Sequence, residues 1–180
     1  RTWSDPQVVW DSPIDDRDSG VLETAKGTIL VTTFTSLAYE SGLSKAEKIK
    51  PGEKGEWDSA RLKRWLAARD QLSAEERKKR LGVWIQRSTD GGRTWSAPYD
   101  SLVNSPHGPI QLDDGRLLYA GKELWREGSR VGVCESSDDG LTWRWLAEVA
   151  ERPGDQKKNY HELHAVEAKS GRLILQIRNH

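Results

Sequence analysis

The chain has 180 residues, with 28 Lys and Arg balanced by 28 Asp and Glu, nine Trp, one Cys and no Met. Zero formal charge removes the electrostatic case for a dedicated nucleic-acid or anionic-membrane binder, and Cys134 alone excludes an intrachain disulfide framework and a Cys-rich zinc site. No apolar run approaches the roughly 20 residues of a membrane helix, while nine Trp argue against disorder, because such side chains usually exist to be buried.

The chain opens on Arg1-Thr2-Trp3-Ser4. Residues 20–25 and 28–35 are apolar, partly alternating runs around Lys26-Gly27, which is a hairpin signal. Residues 41–81 differ from the rest, being rich in Lys, Glu, Ala and Leu and poor in β-branched residues. Leu62, Trp65, Leu66, Arg69 and Leu72 recur every three or four positions, and Ser73 with Glu76 forms a capping-box pattern starting a second helix. This stretch reads as a helical insertion. Residues 83–87 form a strand, and Asp113-Asp114-Gly115 is a turn between strands at 109–112 and 116–121. Residues 131–135 form another strand, and Lys169-Ser170-Gly171 joins strands at 163–168 and 172–178.

An internal repeat punctuates these strands. Ser88, Asp90, Gly92, Thr94 and Trp95 recur as Ser136, Asp138, Gly140, Thr142 and Trp143, a pattern S-x-D-x-G-x-T-W whose copies lie 48 residues apart. Asp at the third position accepts backbone N–H groups in a tight turn, Gly permits positive φ, and Trp covers the turn. Arg1-Thr2-Trp3-Ser4 matches the tail Arg93-Thr94-Trp95-Ser96, so a third copy is expected to be cut through at the N-terminus. With the insertion set aside, the period stays near 48 and each unit supplies about four strands, the pattern of β-propeller blades.

These boxes resemble the Asp-box repeat of the sialidase superfamily. The resemblance implies an all-β fold, a sialidase-like β-propeller of which this chain is a segment of about three blades with a helical insertion at 41–81. The remaining blades are expected from further sequence or another chain. A second match is sharper. The segment from Tyr160-His161-Glu162 to Arg178-Asn179 looks like the sialidase hairpin in which a Glu opens one strand and an Arg followed by Asn closes the next. Glu162 then matches the catalytic Glu, and Arg178 the second of three arginines that hold the substrate carboxylate. Both are equidistant from the turn, so an antiparallel ladder is expected to set them side by side. The implied activity is retaining hydrolysis of a terminal sialic acid or similar acidic sugar on a glycan. A Tyr assisted by Glu162 is the nucleophile, and no cofactor takes part. By the same resemblance the first Arg and the acid/base Asp fall before Arg1, the Tyr and third Arg after His180, and the setting is secreted or periplasmic.

Aligning the three turns on Gly27, Gly115 and Gly171 groups Asp18, Pro106 and Glu162, and likewise Phe34, Lys122 and Arg178. In a propeller these strand ends ring one axial mouth, which makes Lys122 a substrate-binding candidate beside Arg178, and Asp18 lines that mouth or sits in a solvated loop. His107 faces the mouth or is merely exposed. His164 shares a strand face with Glu162. His161-Glu162-Leu163-His164 is not a zinc motif, because its histidines stand at i and i+3 on a strand. Residues 41–81 carry 12 Lys and Arg against 7 Asp and Glu, so Arg77-Lys78-Lys79-Arg80 reads as a solvated helical face or as part of a lid that attracts anionic sugars. Trp84, Trp95, Trp143 and Trp145 read as core, and Trp125 as core or sugar platform. A non-hydrolytic glycan- or protein-binding propeller and a plain repeat scaffold remain the alternatives.

Overall fold

A computed structural model describes residues 2–180; Arg1, the start of the expected cut repeat, lies outside the described residues. The chain is mostly β. Strands β1 (Asp15–Glu23), β2 (Ile29–Ser36), β3 (Val83–Ser88) and β4 (Tyr99–Asp100) form one four-stranded sheet in chain order. Strands β5 (Ile110–Gln111), β6 (Leu117–Lys122), β7 (Val131–Ser136) and β8 (Arg144–Glu148) form a second, and β9 (Tyr160–Glu167) pairs with β10 (Leu173–Asn179). β1 and β9 begin earlier than their apolar runs, at Asp15 and Tyr160. Their heads are polar, so hydrophobic alternation does not mark them.

Three helices, α1 (Tyr39–Ala46), α2 (Ser59–Arg69) and α3 (Ala74–Lys79), lie between β2 and β3 in sequence. The first starts before the expected boundary at 41. The described chain forms two compact units, one holding the chain up to Asp16 with Thr35–Leu81, the other Arg17–Phe34 with Gly82–His180. In the first unit, Asp58 caps α2 by accepting from the N–H groups of Ala60 and Arg61, at 2.9 and 3.2 Å. Ser73 and Glu76 form the reciprocal capping box that their spacing announces. Arg77 departs from the solvated-face reading: it is buried, donating to the Glu40 carboxylate and to the carbonyls of Arg69 and Leu72. A guanidinium has the donors to tie α1 to the α2–α3 turn, which a Lys at that place lacks.

In the second unit the three hairpin turns are copies of one another. The N–H of Thr24, Leu112 and Ala168 donates to the carbonyl four residues on, and the N–H of Gly27, Gly115 and Gly171 donates back, all at 2.8–2.9 Å. Each of these glycines has φ between 77 and 88, which an L side chain resists. The core lies between successive strand groups. Leu30, Ile85 and Leu117 bury one cluster; Leu118, Ala120, Val131, Tyr160, Leu163 and Ala165 bury another. Each fully buried aliphatic side chain stabilises the fold by roughly 1.5–3 kcal/mol.

Candidate functional site

The inward positions of β9 are Tyr160, Leu163 and Ala165, spaced three and then two. Strict alternation would be two throughout, so one extra residue sits between 160 and 163. Glu162 takes up that residue with φ 51, and the ladder shifts register between Gln176 and Arg178. Turn symmetry leads one to expect Glu162 opposite Arg178; the ladder instead pairs Arg178 with His161, because the bulge adds a residue to β9 alone. The side chains still meet: Arg178 Nη1 donates to Glu162 Oε1. Both remain partly open to solvent, at 52% and 39%. The hydrogen bond from Arg178 holds the Glu162 carboxyl below its ordinary value, and the fields of Arg178, His180 and His107 act in the same direction.

A second loop reaches this hairpin. The Tyr119 hydroxyl accepts from the Ser105 N–H and donates to the Ser105 carbonyl, both at 3.0 Å, inside the core. Burial pushes that phenol up to about 12, so it serves as a neutral clamp. Ser105 Oγ donates to the Leu163 carbonyl, tying the loop to β9. His107, exposed two residues on, stacks edge-on against His164, with ring centroids 5.1 Å apart. Nδ1 of His164 is buried without a hydrogen-bond partner among the described residues. His161 and His180 form a similar pair at 5.2 Å. Burial, then the charges of Lys122 and His180, lowers the His161 pKa, so its ring stays neutral further into the acid range.

Asp18 lies exposed on β1 with φ 50. Lys122 is 9% exposed, and its ammonium donates to the Lys158 carbonyl at 2.7 Å. Burial lowers its pKa. The structure therefore pairs Glu162 with Arg178 and His107 with His164, and turns the Lys122 ammonium to the backbone. Sequence reasoning missed Asp155, which accepts from Tyr160 Oη at 2.6 Å, Arg152 Nε at 3.0 Å and Asn179 Nδ2 at 3.0 Å. It thereby fixes both strands at the end that carries Glu162 and Arg178. Nothing in Pro153-Gly154-Asp155 beyond a turn signal announces it. Trp125 is 48% exposed and lies against Phe34, with centroids 6.4 Å apart. No cluster of three or more metal-ligating side chains occurs among the described residues, and no helix there is long and apolar enough to cross a membrane.

The two S-x-D-x-G-x-T-W turns share one set of bonds. In the first, Asp90 Oδ1 accepts from the N–H of Arg93 and Thr94 at 3.0 and 2.9 Å, and Oδ2 accepts from Thr94 Oγ1 at 2.6 Å. Ser88 Oγ accepts from the Gly92 N–H at 2.9 Å. Asp138, Thr142, Ser136 and Gly140 repeat the arrangement, except that the Leu141 N–H donates to the Asp138 carbonyl at 3.4 Å. Burial works against ionisation of Asp138, yet the bonds from Thr142 and Ser136 hold its carboxyl below the usual range. Trp143 Nε1 donates to the Gly140 carbonyl at 3.2 Å, closing the turn as an aromatic lid. These groups are consumed by the turn itself, which makes them structural.

No family model matches the chain, and no curated protein matches it. Among solved structures it is similar to the one titled Hadza microbial sialidase Hz136, at 21% identity and a TM-score of 0.55, over 91% of this chain and 29% of that one. The chain thus spans less than a third of the neighbour's length. The likeness shows the fold: antiparallel four-stranded sheets of a sialidase-like β-propeller.

Proposed function

We propose that the chain is part of an exo-acting, retaining glycoside hydrolase that removes a terminal sialic acid or a similar acidic sugar from glycans. The observation that carries this reading is the Glu162–Arg178 pair at the end of the β9–β10 hairpin, on a fold shared with a sialidase. In this reading the two four-stranded sheets are blades, the hairpin opens a third, and the two repeated turns are Asp boxes. The helical stretch 41–81 is an insertion in the propeller domain, and the other blades come from sequence or chains outside this segment.

Arg178 offers a planar fork suited to a substrate carboxylate. Glu162, ionised and half-open, accepts the phenolic proton of a Tyr supplied from outside this segment. A substrate carboxylate that takes over the Arg178 fork weakens the bond holding Glu162 acidic, so binding raises the basicity of Glu162 when it is needed. Asp18, His107 and His164 line the same mouth, while Lys122 supports it through Lys158. The test is hydrolysis of a fluorogenic sialoside by the full-length protein and by its Glu162→Gln and Arg178→Ala variants. The reading expects turnover that falls at least about a hundredfold in E162Q and a KM that rises in R178A. Unimpaired turnover in E162Q removes Glu162 from the chemistry.

A further inference from the structure

We infer that the first compact unit carries a binding groove for a neutral pyranose ring, separate in its residues from the Glu162–Arg178 pair. The groove has a volume of about 660 Å³ and is lined by the segment 11–15, Tyr39, the α2 residues Arg64, Trp65 and Ala68, and Gln71 just beyond that helix. That volume falls within the roughly 300–1,000 Å³ of small-molecule sites. Its wall is aromatic and held in place. Trp65 is 37% exposed, and its ring meets Tyr39 at 5.9 Å and Trp57 edge-on at 5.5 Å. Trp57 is itself covered by the Arg61 guanidinium, 4.0 Å from its ring centroid. An indole braced on two sides loses little rotamer freedom when a ligand stacks on it.

The opposite wall is equally fixed. Asp16 accepts from Trp10 Nε1 at 2.6 Å and from the Ser12 N–H at 2.7 Å, which pins the segment that carries Asp11 and Ile14. The lining mixes signs: Asp11 and Asp15 offer acceptors, Arg64 offers donors, and the Gln71 amide offers both. A purely apolar ligand leaves these groups unanswered, and a strongly charged one meets a like charge on one side. A pyranose suits both parts, because its C–H face is apolar and its equatorial hydroxyls donate and accept.

The test is saturation-transfer NMR on the full chain with methyl β-galactopyranoside as probe, in wild type and in Trp65→Ala, Ala68→Trp and Arg178→Ala variants. Ala68 is exposed on α2, so A68W fills the groove from its surface without asking the fold to rearrange. Saturation of the sugar C–H protons is expected in wild type and R178A, and a fall of at least about fivefold in W65A and A68W. Absence of saturation at millimolar sugar overturns the inference, as does a signal that survives A68W. A signal lost in R178A alone moves the sugar to the Glu162–Arg178 pair and also overturns it. Preferential binding of free sialic acid overturns the assignment to neutral sugars. None of these outcomes depends on hydrolysis, so failure here and failure of the sialidase reading are separate results.

Discussion

Asp18 and Glu162 adopt the same left-handed backbone conformation, φ 50 and 51, each nine residues ahead of the positive-φ glycine of its hairpin, Gly27 or Gly171. For a side chain bearing Cβ this conformation is costly, and the surrounding structure has to over-determine it. In the second sheet the turn alignment places Pro106 at this position, and the positive φ falls instead on Gly108 at 69, where it costs little. Of the three aligned positions, the two that carry carboxylates are thus the ones that keep the strain. Glu162→Gly relieves the strain and removes the carboxylate. Its urea midpoint is expected to match or exceed that of wild type while sialoside turnover is lost. A clear drop in the midpoint overturns the view that Glu162 is held against its preference.

The Glu162 titration has a definite sign. Its folded pKa lies below the ordinary 4.5, chiefly because of Arg178. The pair's contribution is therefore complete above 4.5 and is lost as pH falls through the depressed value. A ¹³C-detected carboxyl titration is expected to show a midpoint under 4.5 in wild type and a return toward 4.5 in Arg178→Ala. Equal midpoints in the two proteins contradict the pairing.

Asp139 holds the second repeated turn against the first sheet. It accepts from Thr24 Oγ1 at 2.9 Å, Thr28 Oγ1 at 2.6 Å and Arg87 Nη2 at 2.6 Å, with only 9% of its side chain exposed. Asp139→Ala leaves Arg87 without its charge partner in a largely desolvated place and is expected to cost about 3 kcal/mol. The double variant with Arg87→Ala costs less than the sum of the singles, by about 1 kcal/mol or more. Additive losses in urea unfolding rule out the coupling.

Gly20 and Gly108 touch backbone to backbone. A Cβ on Gly20 lies 2.4 Å from Gly108 Cα, where no flexible side chain can give way. Gly20→Ala is expected to destabilise by about 3 kcal/mol or more, whereas Lys26→Ala in the nearby exposed turn stays within roughly 0.5 kcal/mol. Similar unfolding midpoints for the two variants contradict the close approach.

Cys134 is fully buried, and burial pushes its thiol up to about 12. It therefore stays protonated across the neutral range and is expected to resist a thiol reagent at pH 8 until the chain unfolds. Fast labelling of the native protein contradicts this.

Much of the fold is legible in the chain itself. Asp90 with Thr94 and Asp138 with Thr142 close turns through bonds spanning four residues, and Gly27, Gly115 and Gly171 mark hairpins through a local need for positive φ. The capping box at Ser73 and Glu76 is equally local. All of these depend on neighbours within one turn of chain, so residue order determines them. The hairpin symmetry also brought Glu162 and Arg178 to one end. Only tertiary structure decided which residue faces Arg178 on the ladder, because the bulge at Glu162 is imposed by burying Tyr160, Leu163 and Ala165 together. The same holds for Asp139 and Arg87, 52 residues apart. It holds as well for Arg77, whose basic run looks solvated until α1 and the α2–α3 turn surround it. Such partners meet through packing between distant segments, and no spacing along the chain encodes that meeting.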